Sequence, residues 1–239
     1  MAGAEGLAER LFVAIRAGDL TALDLILREH PERASAPLGG RHATRTPLHV
    51  VTDWPGYLPN GPQVVRVLLK AGADPDARAP GDETPLHWAA SSDDADVAAA
   101  LIDGGADVNA PGGSIGTPLA NAVGYGCWHV ARLLVDRGAR VDAAWEAAAL
   151  GMLERLAELL SYSNSEDVSQ AFWHACDAGQ RRAAEFLLSR GADLNWIPDY
   201  AQGTPLDAAR RPSTRRENIT AWLRAQGARS AGDVSPPAG

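Results

Sequence analysis

The chain has 239 residues, 46% hydrophobic and 22% charged, close to the average of folded soluble proteins, so most of it is expected to fold. Its 22 basic residues against 30 acidic ones leave a net charge of −8, which argues against a phosphate-neutralising surface and so against nucleic acid as a partner. Cys127 and Cys176 belong to no C-x-x-C pair, which removes support for a disulfide framework or a zinc site, and no run approaches the ~20 apolar residues of a membrane span.

The N-terminus, MAGAEGLAER, is acidic where a secretory signal needs a basic start and an apolar run. These features predict a soluble, cytoplasmic monomer with reduced thiols, no cofactor and no metal. In the first segment Leu7, Leu11, Ala14 and Ile15 share one helical face, Gly18-Asp19 marks a turn, and Leu20, Leu23, Ile26 and Leu27 form a second face. This pair, near residues 5–30, reads as an N-terminal cap with a polar outer side, and a Pro/Gly/Arg connector follows up to Arg45.

The second unit, 46–74, opens on Thr46-Pro47-Leu48-His49 and closes on Gly72-Ala73-Asp74. From head to closing glycine it spans 26 residues against 21 in the third unit, and the five extra residues lie in an insertion at 54–61 with two prolines, two glycines, Trp54 and Tyr57. A packed turn and a functional loop are equally good readings of it. The third unit, 84–109, is the most regular: Thr84 suits an N-cap, Pro85 the first helical position, Leu86, Ala89 and Ala90 a small apolar face, and Gly104-Gly105 a helix end.

The fourth unit, 117–142, keeps the 21-residue spacing and places Cys127, Trp128 and His129 at the turn into its second helix. The fifth, 143–161, has lost the TPL head, with Trp145-Glu146 standing in its place. The sixth, 168–195, contains Trp173-His174, and the seventh, 204–229, has a basic interhelix turn with Arg210, Arg211, Arg215 and Arg216. Residues 230–239 read as a disordered tail.

The Thr84 and Thr117 heads lie 33 residues apart, as do the first three closing glycines, Gly72, Gly105 and Gly138. A 33-residue period with a T-P-L-H-x-A head resembles the ankyrin-repeat family. The resemblance implies an all-α solenoid of about seven stacked helix pairs with β-turn finger loops, a single domain over 1–229, and recognition of a protein partner through a concave groove. It also implies that His49 and His87 are structural, their ring nitrogens bonding backbone between neighbouring repeats.

In that register the position after the histidine, and the one three further on, face the groove. They are Val50 and Asp53, Trp88 and Ser91, Asn121 and Gly124, Glu146 and Ala149, His174 and Asp177, and Ala208 and Arg211. With Trp54, Tyr57 and Trp128 on the turns, the candidate binding residues are Asp53, Trp54, Tyr57, Trp88, Asn121, Trp128, Glu146, His174 and Asp177. Exposed aromatics are frequent hot spots of protein interfaces, which favours partner recognition. The alternative is a small-molecule pocket or a metal-independent enzyme with His174 and Glu146 as base and acid. Against both stands a packing role, with Trp145, Trp173 and Trp196 filling gaps in degenerate units. The 112–116 glycine stretch before Thr117 reads as a finger-loop turn rather than a phosphate cradle.

Overall fold

The computed structural model describes residues 2–39, 44–210 and 217–234. Regular structure there is helical, apart from isolated bridges at Gly39 and between Ala79 and Glu83. The chain divides into two compact units, Met1–Arg140 and Val141–Gly239.

The first unit holds α1 (Ala2–Ala17), α2 (Leu20–Glu29), α3 (Pro47–Val51), α4 (Gly61–Lys70), α5 (Pro85–Ser91), α6 (Ala95–Asp103), α7 (Pro118–Gly124) and α8 (Trp128–Asp136). Each odd-numbered helix packs on the even one that follows it, α1, α3, α5 and α7 contact in sequence, and α2, α4, α6 and α8 form the second layer. Helices of this length are unstable alone, since ~12–15 residues are needed even for good helix formers. Burial between layers supplies the stability. Leu48, Val65, Leu86, Leu101, Leu119 and Leu134 are fully enclosed, each contributing roughly 1.5–3 kcal/mol relative to exposure.

The second unit holds α9 (Ala144–Leu150), α10 (Leu153–Leu159), α11 (Ser165–Asp177), α12 (Arg181–Ser189), α13 (Pro205–Ala208) and α14 (Glu217–Ala225). Helix α11 packs against α9, α12 and α13. It begins earlier than the repeat pattern suggests, because Asn164 accepts from the Glu166 and Asp167 amides while Asp167 reaches back to the Asn164 amide. Residues 164–167 are therefore the cap and first turn of α11. At the C-terminal end Ala231–Asp233 form a 3-10 turn, and the Ala231 amide donates to Asp207. Residues 235–239, and the basic turn with Arg211, Arg215 and Arg216, lie outside the described residues.

The TPLH head sets the helix start and the link to the next unit together. Thr84 is extended at φ −87° and ψ 166°, and Pro85 opens the helix. The Thr84 amide donates to Nδ1 of His87 at 3.1 Å, and the Thr84 hydroxyl lies 2.8 Å from the same nitrogen. Nδ1 must therefore be unprotonated, and Nε2 carries the proton that it donates to the Gly116 carbonyl at 3.0 Å, ahead of the next head. His49 repeats the arrangement with Thr46 and the Glu83 carbonyl. Burial holds both rings below the ordinary histidine value, His49 at about 4.

The closing Gly-Ala-Asp motif has its own link. Asp76 accepts from the Asp107 amide at 2.9 Å and Asn109 from the Arg140 amide at 2.8 Å, so each finger loop is hung on the next. In the second unit Asn195 does the same for the Arg229 amide. The turn between α1 and α2 is tighter still. Gly18 has φ +63°, and a Cβ there would lie 2.0 Å from the Pro59 carbonyl oxygen in the 54–61 insertion. Gly18→Ala is expected to cost more than ~1 kcal/mol and more than Gly105→Ala, where φ is +98° but nothing lies within 4 Å; urea unfolding of the two variants checks this.

A second prediction concerns acid. Unfolded histidine binds its proton near pH 6.5, whereas folded His49 does so only near pH 4. The unfolded state therefore takes up the proton first. Stability is full above pH 6.5 and falls as pH drops toward 4, by about 3 kcal/mol through this ring. In His49→Gln, urea midpoints should lose that share of their pH dependence.

Candidate functional site

In the first unit Trp88, Ser91 and Asn121, expected to face the groove, gather around one carboxylate that the repeat motif does not include. Glu83 immediately precedes the α5 cap, and its Oε2 accepts from the Trp88 indole at 3.0 Å. Its Oε1 accepts from the Asn121 amide at 3.2 Å, and the same amide group also reaches the Ser91 hydroxyl at 3.3 Å. Asn121 is 1% exposed, so it holds Glu83 from beneath. The Trp88 ring stands edge-on to His49 at 5.0 Å and carries the Arg45 guanidinium 5.4 Å from its centroid. Arg45 in turn pairs with Asp53 at 2.5 Å.

The 54–61 insertion is packed against its neighbours at both ends. The Asn60 amide donates to the Gly18 carbonyl at one end. At the other, the Tyr57 backbone amide donates to Asp94 at 2.7 Å and its hydroxyl to the Asp93 carbonyl at 2.6 Å. These anchors leave the Trp54 side chain 78% exposed. Beneath it is an open cavity of about 220 Å³, walled by Trp54, Trp88 and Tyr125 and lined between them by Thr52, Asp53, Glu83, Ser91 and Ser92. That volume lies below the ~300–1,000 Å³ of drug-sized ligand sites.

In the second unit Glu146 and His174, the candidate acid and base, each have partners of their own. Glu146 is 5% exposed and its Oε2 accepts from the Asp142 and Ala143 amides, both at 3.1 Å. It caps α9 three residues into the helix, the position His87 holds in α5, so the sequence register was one residue out in this headless segment. Burial raises its pKa while those backbone amides lower it, with burial prevailing. His174, 8% exposed, lies within an aromatic enclosure: Trp145 at 4.8 Å, Trp173 at 5.1 Å and Tyr200 at 6.0 Å between ring centroids, with the Tyr200 hydroxyl 3.0 Å from Nε2. Trp173 takes over the histidine link, donating its indole N–H to the Gly203 carbonyl at 2.8 Å, just before the Thr204 head.

Other expected groove positions are buried, namely Val50, Ala149 and Ala208. Trp128 is half-buried, with its indole nitrogen enclosed and unpaired among the described residues, and Asp177 is half-buried. Neighbouring His129 instead pairs with Asp93 at 2.7 Å. Arg211 lies outside the described residues. The thiols of Cys127 and Cys176 are buried, which pushes the first up to about 11 and the second upward too. Among the described residues no His/Cys/Asp/Glu cluster could hold a metal ion, and no helix is long and apolar enough to cross a membrane. The 112–116 stretch packs as a finger loop, with the Gly113 amide on the Gly81 carbonyl.

Sequence reasoning passed over Glu83, Arg45, Tyr125 and Tyr200. The signal for Glu83 was its place directly before a head whose fifth residue is a tryptophan. Tyr200 carried none, since it reaches His174 from 26 residues downstream.

The family model for ankyrin repeats (3 copies) matches residues 11–111 and 57–144, which together make up more than half of the chain. Among solved structures the chain is similar to the ankyrin repeat domain of Bcl-3, a member of the IkappaB protein family, at 26% identity and a TM-score of 0.54, over 90% of this chain and 97% of that one. It is also similar to the human ASB11 ankyrin repeat domain at 24% identity and a TM-score of 0.47, over 81% and 93%. No curated relative matches the chain. On the motif, the stacked helix pairs and the extent of the match, the chain belongs to the ankyrin-repeat family.

Proposed function

We propose that this protein is a binding module that recognises a protein partner through the Trp54–Trp88 pocket of its first unit. The observation that carries the reading is Trp54, a large indole held 78% exposed by a loop anchored at both ends. An anchored loop with a solvent-facing aromatic offers a preformed contact at low entropic cost, the usual character of an interface hot spot. The family is a general protein-interaction module, which agrees with this reading.

The acid–base alternative draws less support, because Glu146 is committed to capping α9 and the cavity under Trp54 is small and open. The buried, unpaired thiols fit a reducing compartment such as the cytoplasm.

Trp54 touches little, so Trp54→Ala should change stability by no more than about 0.5 kcal/mol. Affinity capture from the source cells with wild type and variant is the measurement. Loss of the wild-type partner at an unchanged melting temperature is expected; recovery of the same partner by Trp54→Ala overturns the reading.

A further inference from the structure

The geometry points to a cationic side chain, arginine or lysine, as what the partner inserts between Trp54 and Trp88. This rests on the reading that the pocket is the partner's docking surface. Its walls are aromatic faces and its interior carries two carboxylates, Asp53 and Glu83, with no cation among its lining residues. Ring faces attract cations through their quadrupole, most strongly for tryptophan.

The two carboxylates differ in what they already hold. Asp53 is paired with Arg45. Glu83 accepts only from neutral donors among the described residues, the Trp88 indole and the Asn121 amide. Both donors fix its position without compensating its charge. An apolar plug would strip water from Glu83 and leave it buried without a counter-ion, which is strongly unfavourable. A guanidinium or ammonium group covers the exposed ring of Trp54 and meets that carboxylate in a single insertion.

The molecule carries an instance of the same recognition at the edge of the pocket. The Arg45 guanidinium lies on the Trp88 ring and against Asp53, an aromatic face and a carboxylate shared by one cation. The net charge of −8 acts in the same direction, drawing basic partners and repelling acidic ones during encounter.

The test pans a random phage-displayed peptide library on the full chain, with removal of peptides that also bind Trp54→Ala. Recovered peptides are then titrated against wild type and Glu83→Gln, which keeps an acceptor for the Trp88 indole. The expected result is that each Trp54-dependent peptide contains a required Arg or Lys. Replacing it by citrulline or acetyl-lysine weakens binding about tenfold, Glu83→Gln does the same, and the two changes are not additive. Trp54-dependent peptides that need no cationic side chain, or that bind Glu83→Gln as tightly as wild type, overturn the cation assignment and leave the docking surface standing. Recovery of no Trp54-dependent peptide overturns both.

Discussion

The structure of the first unit depends on a neutral imidazole held between two backbones. His87 takes a proton from nobody: its Nδ1 is already occupied by the Thr84 amide and hydroxyl, and its Nε2 proton is given to Gly116. One side chain thus closes the start of its own helix and fastens the next repeat. Helices of seven and nine residues have too few internal hydrogen bonds to persist alone, so these fastenings and the shared apolar layers decide whether the array exists. The side-chain ladder through Asp76, Asp107 and Asn109 fixes the finger loops in the same manner.

Much of this was legible because each repeat solves the same local problem with the same residues. Thr, Pro, His and the closing Gly are chosen by backbone geometry, and backbone geometry does not depend on distant sequence. The register failed where the head was missing. Without Thr-Pro-Leu to anchor it, Glu146 was aligned with Trp88, although its carboxylate does the work of His87 by binding the amides ahead of its own helix. Asn121, expected on the groove, is 1% exposed and holds Glu83 and Ser91, a burial that the repeat register alone does not reveal. Tyr200 illustrates a contact that no local pattern encodes, because the loop that carries it is set by the following repeat.

The 54–61 insertion shows how an exposed indole can be maintained on a rigid array. Its backbone and polar atoms are spent on neighbouring turns, Asn60 on Gly18 and Tyr57 on Asp93 and Asp94, so the loop needs no help from the Trp54 ring. Glu83 is organised in the complementary way. The buried Asn121 amide and the half-buried Trp88 indole fix its carboxylate, and neither donor carries a charge that compensates it.

The replacement of histidine in the second unit has a consequence for how the molecule meets acid. An indole has no second protonation state, so the Trp173 link to Gly203 is indifferent to pH. Burial raises the Glu146 carboxyl, which means that its folded form welcomes a proton more readily than its unfolded form does. The imidazole links of His49 and His87 respond in the opposite sense, since their folded forms resist the proton that the unfolded chain accepts. The histidine links of the first unit therefore loosen as pH falls, while the Trp173 and Glu146 contacts of the second do not; Asp207 in the second unit, where burial is outweighed by hydrogen bonds from Ala231 and Thr204 that lower its carboxyl, answers as the histidines do.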